Sequence, residues 1–182
     1  MTLPPLPCPR LSLRPLTEGD RHSLLSLHRD PQVMRFSAAL PGDDAALSAR
    51  MDCNIYRPWP DGHGFWAVER VGLFLGWIML IPKDGEDGTA EIGYRLHAHA
   101  WGQGYATEAL IAVTQHAARL PDINRVVAEA RADNAASIRV LEKAAFRLLE
   151  RFTEEEANWV RYGIQNTGTG MAAPGAKTLA WG

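Results

Sequence analysis

The stretch that decides the fold is AEIGYRLHAHAWGQGYATEAL, residues 90–110. Residues 90–96 are typical of a β-strand, and the good helix formers in 105–119 predict a helix. Between them stands the glycine pair Gly102-x-Gly104. The first N–H groups of a helix have no internal partner and its N-terminus is positive, so this turn is suited to a phosphate. An ordinary tight loop between strand and helix explains the spacing equally well.

Three phosphate-binding patterns can be compared with this turn. A P-loop requires a lysine that is not found here, and the dinucleotide fingerprint G-x-G-x-x-G fails at its third glycine, where Thr107 stands. Glu129 nearly serves as the acid of that fingerprint, but hairpin-like runs precede the turn instead of repeated βαβ units. A Rossmann oxidoreductase is therefore a distant alternative, and a diphosphate on Gln103–Thr107 is the preferred interpretation.

Composition excludes several classes of protein. The chain has 182 residues and a net charge of −2, which gives no overall attraction to nucleic acid or to an anionic membrane. No apolar run of about 18 residues predicts a membrane span, and the proline-rich start MTLPPLPCPR lacks the apolar region of a secretory signal. Cys8 and Cys53 form neither a disulfide framework nor a metal cluster, so a reducing cytoplasm is expected.

The rest of the chain predicts antiparallel strands first and strand–helix units later, which is typical of a mixed sheet covered by helices. A capping-box variant at Thr17 predicts a helix to about Asp30, and Val71–Gly72 separates two strands of a hairpin. The predicted strands are 10–16, 64–70, 73–81, 90–96, 125–130, 146–152 and 158–164, and the other helices are 43–57 and 134–145. From Gln165 onward the composition predicts a tail that is flexible or pairs with a partner.

The stretch EIGYRLHAHAWGQGYATEAL followed by NAASIRVLEKAAF resembles the GNAT acyltransferase superfamily, and within it the RimJ/RimL-type group. LSLRPLTEGD, DPQVMRF and WAVER…LGWIML are similar to the opening of that group. The resemblance implies an α/β GNAT fold, with a mixed, mostly antiparallel sheet, a splayed parallel strand pair and flanking helices. It implies a domain over 1–165, with 166–182 as a tail. It also implies direct acetyl transfer from acetyl-CoA to a primary amine, on a protein N-terminus or a small molecule, by a possible homodimer.

The same resemblance implies which residues hold acetyl-CoA. The pantetheine arm pairs with the strand at Tyr94, Arg95 and Leu96, much as an added strand would. Gly93 suits a bulge in that strand. Asn134 orients the pantetheine arm. The pyrophosphate lies on the glycine turn, whose residues are Gly102, Gln103, Gly104, Tyr105, Ala106 and Thr107.

Three residues are catalytic candidates. Glu91 shares a strand face with residues 93 and 95 and is the candidate general base. The alternative is a solvated glutamate or one paired with Arg95. An N–H near Tyr94 is the candidate oxyanion donor. Many GNAT members carry a tyrosine acid where Leu141 stands here, so the resemblance assigns the leaving sulfur to Ser137 instead; the alternative is a surface serine.

Other features have plainer interpretations. Ala145 replaces the usual glycine after the last helix, and a left-handed alanine would be strained, so the helix end is expected to differ. His97 and His99 lack further metal ligands, so no metal is predicted. Neither cysteine has a histidine nearby in sequence, which favours direct transfer over an acyl-enzyme. A module that binds acyl-CoA without turnover is the alternative function.

Overall fold

The computed structural model describes residues 3–37, 44–166 and 171–172. The strands are β1 Leu6–Pro7, β2 Ser12–Pro15, β3 Gly64–Arg70, β4 Leu73–Pro82, β5 Thr89–Leu96, β6 Arg125–Arg131, β7 Arg147–Glu154, β8 Ala157–Asn166 and β9 Met171–Ala172. The α-helices are α1 Arg21–Arg29, α2 Pro31–Met34, α3 Asp44–Tyr56, α4 Tyr105–Ala117 and α5 Ala135–Lys143. None of the helices in these ranges is long and apolar enough to cross a membrane.

The strands form one sheet in the order β1-β2-β3-β4-β5-β6-β8-β7, and β9 pairs with β8 beside it. Strands β5 and β6 are parallel, whereas the other described neighbours are antiparallel. The parallel pair follows from the connection, because α4 carries the chain back to the starting edge of the sheet. Val71 and Gly72 form the two-residue β3–β4 hairpin loop. The mixed, mostly antiparallel α/β fold is confirmed.

The parallel pair opens toward its carboxyl end. Pairing between β5 and β6 runs from Thr89–Arg125 to Glu91–Val127 and stops there. β5 nevertheless continues to Leu96, still paired with β4 on its other side. The result is a V-shaped opening with an unpaired edge along residues 92–96, so the predicted splay is present.

The sheet has two buried faces, and β5 contributes to both. Ala90, Ile92 and Leu96 belong to the core that includes α4 and α5. Gly93 and Arg95 point to the opposite face, because side chains alternate along a strand. That second face packs against α1, α2 and α3 through a separate apolar cluster: Leu16, Leu24, Leu27, Val33, Leu47, Met51, Phe65, Ala67 and Trp77.

The predicted first helix consists of a short 3₁₀ turn followed by the α-helix α1. The Asp20 carboxylate accepts a bond from the backbone N–H of Thr17 at 2.8 Å, as a capping box requires. A short 3₁₀ turn over Glu18–Asp20 follows, and α1 ends at Arg29. Pro31 follows the end of α1 and is the first residue of α2. At that position a backbone N–H would have no hydrogen-bond partner within the helix, so proline is tolerated.

The expected bulge at Gly93 is wrong. The β4–β5 register is unbroken from Gly76–Leu96 to Pro82–Ala90. A Cβ at Gly93 would lie 2.8 Å from the terminal carbon of Met79, its neighbour across the strands. Gly93 therefore makes room for that side chain in a regular strand.

The expectation that the end of α5 avoids a left-handed residue is also wrong. Ala145 has φ 65°. The N–H of Ala145 donates to Glu142 O and that of Phe146 to Leu141 O, both at 3.0 Å, which is a Schellman motif. Phe146 is fully buried, so core packing holds the turn in a conformation that alanine disfavours.

The last described strands include residues on both sides of the predicted C-terminal boundary. β8 runs through Asn166, and β9 adds a short antiparallel pairing at Gln165–Ala172. The predicted tail thus contributes Asn166 and residues 171–172 to the sheet. The rest of that prediction, 167–170 and 173–182, lies outside the described residues.

Candidate active site

The glycine turn lies at the start of α4, at the open end of the V. Gly102 and Gly104 have φ 72° and 80°, conformations that side chains disfavour. The first helical bond runs from Glu108 N to Gly104 O at 3.0 Å. The N–H groups of residues 105–107 consequently have no carbonyl partner within the helix. Since Gly104 has no side chain to cap them, this end of α4 presents free donors and a positive dipole.

Side chains on both sides fix the turn. The Trp101 indole N–H donates to Leu96 O at 2.8 Å, and the Gln103 amide donates to His99 O at 2.8 Å. The first bond links the turn to the last residue of β5. The predicted donor turn and the predicted thioester-binding strand are therefore held as one unit.

Arg10 is a residue of this site that sequence reasoning missed. Its guanidinium donates to the Glu108 carboxylate at 2.7 Å and to Gln103 O at 3.0 Å, and it lies 4.9 Å from the centre of the Tyr105 ring. A cation thus stands beside the turn predicted to bind the diphosphate, partly neutralised by Glu108. The two partners are 98 positions apart, and no local pattern predicts such a contact.

Two predicted catalytic residues meet across the opening. The hydroxyl groups of Tyr94 on β5 and Ser137 on α5 are 2.8 Å apart, and Tyr94 also donates to Ser137 O at 3.3 Å. Burial raises the pKa of Tyr94 to about 12, although the bond with Ser137 acts in the opposite direction. Tyr94 is therefore protonated at neutral pH, and the pair can relay a proton.

Asn134 caps α5, as expected. Its side-chain oxygen accepts a bond from Ser137 N at 3.1 Å. This bond positions the first turn of the helix, and with it the Ser137 hydroxyl that meets Tyr94. A contact between Asn134 and the pantetheine arm remains a prediction.

Glu91 lies where the strands are still paired, just before the V opens. Its carboxylate accepts a bond from Lys83 at 2.9 Å, and Lys83 also donates to Glu129 at 3.0 Å. The alternative pairing with Arg95 does not occur, because four strand residues span about 13 Å. Sequence reasoning missed Lys83. A role of Glu91 as base stays a prediction, and the ion pair is the competing structural role.

An ion-pair network, defined here as Lys83, Glu91, Glu129, Arg161 and Glu86, closes the narrow end of the V. Arg161 on β8 reaches Glu129 on β6 at 2.8 Å and Glu86 at 2.9 Å. Burial raises the pKa of Glu129, but its bonds with Lys83 and Arg161 outweigh that effect and lower it overall. The network joins β5, β6 and β8 where they are still hydrogen-bonded.

Arg95 points away from the α4 face, toward α1 and α2. It donates to His28 Nδ1 at 2.9 Å and to Ser37 Oγ at 2.6 Å, and its guanidinium lies 5.4 Å from the centre of the Trp77 ring. Burial, with a contribution from Arg50, lowers the pKa of Arg95 to about 10. Its backbone remains a predicted pantetheine contact, while its side chain faces the opposite side of the sheet.

The remaining candidates have ordinary environments. Burial, with Glu108 nearby, raises the pKa of Cys8 to about 11, which disfavours a reactive thiolate. His97 and His99 stack with ring centres 5.4 Å apart. Within the described ranges, no group of three or more His, Cys, Asp or Glu residues could hold a metal ion.

The family follows from comparison with known proteins. The acetyltransferase (GNAT) domain matches residues 10–147, which include the glycine turn, the splayed strands and α5. The chain belongs to the GNAT acetyltransferase family, and it is an N-acetyltransferase that acts with acetyl-CoA on amines.

The chain is similar to one curated protein in sequence and to two solved structures in fold. FsC-acetyl coenzyme A-N(2)-transacetylase of Aspergillus fumigatus is 30% identical over 181 residues, covering 88% of this chain and 76% of that protein. RimL, a ribosomal L7/L12 alpha-N-protein acetyltransferase solved with coenzyme A, has a TM-score of 0.77 and 22% identity, covering 91% and 99% of the two chains. Spermidine N-acetyltransferase of Vibrio cholerae, solved with CoA and spermine, has a TM-score of 0.74 and 16% identity, covering 87% and 97%.

Proposed function

We propose that this enzyme transfers the acetyl group of acetyl-CoA directly to a primary amine in a ternary complex. The observation that carries the proposal is the unpaired edge of β5 over 92–96, which lies between the free N–H groups of α4 and the Tyr94–Ser137 pair. A thioester held along that edge would have its diphosphate at one end and a proton donor near its sulfur.

The site fits acetyl-CoA on its own geometry. Residues 102–107 offer backbone donors to the diphosphate, and the left-handed glycines leave the approach free of Cβ atoms. The edge at Tyr94, Arg95 and Leu96 offers main-chain groups to the amides of the pantetheine arm. Asn134 stands at the start of α5 on the far side of the opening.

The chemistry requires a neutral amine, a held carbonyl and a proton for the departing sulfur. Holding both reactants in place supplies about 7–11 kcal/mol of the barrier. A backbone N–H at the β5 edge would stabilise charge on the carbonyl oxygen. The amine nitrogen bonds to the acetyl carbon as the carbon–sulfur bond breaks, and the nitrogen gives up one proton to Glu91 or to a water. Ser137 gives the departing sulfur its proton and regains one from the Tyr94 hydroxyl beside it, which solvent reprotonates.

The acceptor is proposed to be a protein N-terminus or a small-molecule amine. The names of the relatives support both classes, since one acetylates the N-terminus of a protein and another acetylates a polyamine. A free α-amine, with a pKa of about 8, needs less help from a base than a lysine does. That makes an α-amine the easier substrate where the candidate base, Glu91, is ion-paired with Lys83.

The coenzyme site can be tested with a matched pair of variants at Gly102, where an added Cβ would meet no atom within 4 Å and φ is left-handed. Asn and Asp tolerate that conformation and have nearly the same shape. Gly102→Asp puts a negative charge at the diphosphate, so coenzyme A affinity by calorimetry should fall about 10-fold or more below that of Gly102→Asn. Equal coenzyme A affinities of the two variants would contradict the proposal that the diphosphate binds at this turn.

Turnover needs its own measurement. The wild-type enzyme should release thiol from acetyl-CoA when amines are added, and mass spectrometry should show an acetylated amine. Tight coenzyme A binding without thiol release, over a panel of peptides, amino acids and polyamines, would instead identify a binding module.

A further inference from the structure

We infer that the amine acceptor carries a carboxylate, which Arg95 binds on the face of the sheet opposite α4. The inference rests on the proposed acetyl transfer and names the chemical class of its acceptor. The inference predicts that the substrate is an amino acid or another amine with a carboxylate. It disfavours polyamines, because Arg95 would repel their additional positive charges.

The first step is the position of Arg95. It follows Tyr94 directly and belongs to the unpaired part of β5, so it lies within one strand residue, about 3.3 Å of rise, of the predicted oxyanion donor. Its backbone borders the opening while its side chain extends to the α1–α2 side. An acceptor entering from that side would bring its amine to the opening with Arg95 beside it.

The second step is the charge of Arg95. Its two described partners, His28 Nδ1 and Ser37 Oγ, are neutral acceptors, and no described carboxylate forms an ion pair with it. Lys83, by contrast, contacts two carboxylates. A half-buried guanidinium is costly without a counter-charge. A substrate carboxylate would provide one.

The third step is a local excess of hydrogen-bond donors. A guanidinium has five N–H groups, and two of those on Arg95 meet described acceptors. Arg95 always donates, so His28 Nδ1 must accept and the proton of the neutral ring lies on Nε2. His28 Nε2 and the indole nitrogen of Trp77 are both buried without a partner in the described structure. His28 is 1% exposed and stacks on Trp77.

These observations point to one kind of ligand group. Buried donors are normally paired, but the imidazole N–H of His28 and the indole N–H of Trp77 meet no acceptor among the described residues. Both rings contact the Arg95 side chain. A carboxylate is planar, negatively charged and purely an acceptor, so it can take two of the other Arg95 N–H groups at once. A cationic acceptor would satisfy none of them.

The test compares amines with and without the carboxylate. Pairs such as L-phenylalanine with 2-phenylethylamine, and L-lysine with 1,5-diaminopentane, differ in that group alone. For the wild-type enzyme, kcat/KM should favour the carboxylate member by about 10- to 100-fold, the range expected for charge-assisted hydrogen bonds. Arg95→Gln should abolish that preference mainly through KM, and Arg95→Lys should retain part of it. A cooperative urea unfolding transition in both variants shows that they are folded.

A second measurement does not depend on turnover. The wild-type enzyme saturated with coenzyme A should bind N-acetyl-L-phenylalanine in calorimetry and bind its amide at least 10-fold more weakly. Acetylation of both members of each pair at equal rates, or a preference that survives in Arg95→Gln, overturns the inference and leaves acetyl transfer intact. Failure to acetylate any amine, with the acetylated amino acid still bound better than its amide, would overturn the proposed transfer instead.

Discussion

Replacing Glu91 by Gln, with Glu129→Gln as a matched control, separates a catalytic base from a structural carboxylate. Both carboxylates accept a bond from Lys83, at 2.9 and 3.0 Å, and their side chains are similarly half-buried. They differ in one respect: Glu91 lies on the proposed thioester-binding strand and Glu129 on its parallel neighbour. A purely structural role predicts that both variants behave alike in kinetics.

The stability cost can be estimated from the contacts. Exposed ion pairs contribute about 0–1 kcal/mol, and breaking a buried pair costs about 3–5 kcal/mol. Glu91 has one cationic partner, so Glu91→Gln should cost about 1 kcal/mol. Glu129 contacts Lys83 and Arg161, and Glu129→Gln should cost about 2–3 kcal/mol. Urea unfolding at pH 7 measures both values.

Rates should follow the opposite order if Glu91 is the base. Glu91→Gln would then lower kcat at pH 7 by about 10²–10⁴-fold and by less at pH 9, where more of the amine is already neutral. Glu129→Gln, the more destabilised variant, should keep kcat within a few-fold. Initial rates of thiol release between pH 6 and 9 provide the comparison. A decrease in the kcat of Glu91→Gln that is small and constant with pH would refute the role of Glu91 as general base. Its role would then be the ion pair with Lys83.

Three further predictions concern the proton donor, the helix end and the buried carboxylate. Ser137→Ala should slow coenzyme A release in the first turnover by about 10²-fold or more with little change in acetyl-CoA affinity; a wild-type rate would mean that Tyr94 donates without it. Ala145→Gly should stabilise the protein by about 1 kcal/mol and raise Tm by about 2–4 °C, whereas Ala112→Gly inside α4 should cost about 1 kcal/mol; a loss in both would contradict the strained turn. Asp20→Asn should cost about 3 kcal/mol at pH 7 in urea unfolding. Burial raises the pKa of Asp20, but hydrogen bonds from Arg14, at 2.7 Å, and from Thr17 lower it overall. The contribution of Asp20 to stability is therefore present above about pH 4 and lost in stronger acid, where wild type and variant should converge. A cost independent of pH would contradict this.

Local pattern predicted much of the fold and the coenzyme side of the site. The glycine pair before α4 and the strand before it are adjacent in sequence, and their geometry follows from helix termini and strand alternation. Asn134 and Ser137 lie one helical turn apart, so the cap could be foreseen. Tyr94 and Ser137 are separate candidates in the sequence, and only the structure shows that their hydroxyl groups are in contact.

Contacts between distant segments could not be predicted. Arg10 reaches Glu108 over 98 positions and Arg95 reaches His28 over 67. Such pairs depend on how elements pack, which the local sequence does not encode. The prediction that α5 ends without a left-handed residue was wrong for a related reason. Burial of Phe146 in the core outweighs the preference of Ala145 for a right-handed conformation.

If the pantetheine arm binds along the unpaired edge of β5, the stability of the folded protein will depend on the supply of acetyl-CoA. An open strand edge usually attracts other chains and promotes aggregation, and here it lies recessed inside the sheet. A bound pantetheine arm would lie along this edge like an additional strand. Its amides would form hydrogen bonds with the main-chain groups of β5 and shield them from other chains. At 100 times its dissociation constant, such a ligand adds about 2.7 kcal/mol to stability. Those amide protons of residues 92–96 that point away from β4 should therefore exchange fastest in cells short of acetyl-CoA, where the enzyme should also be degraded soonest.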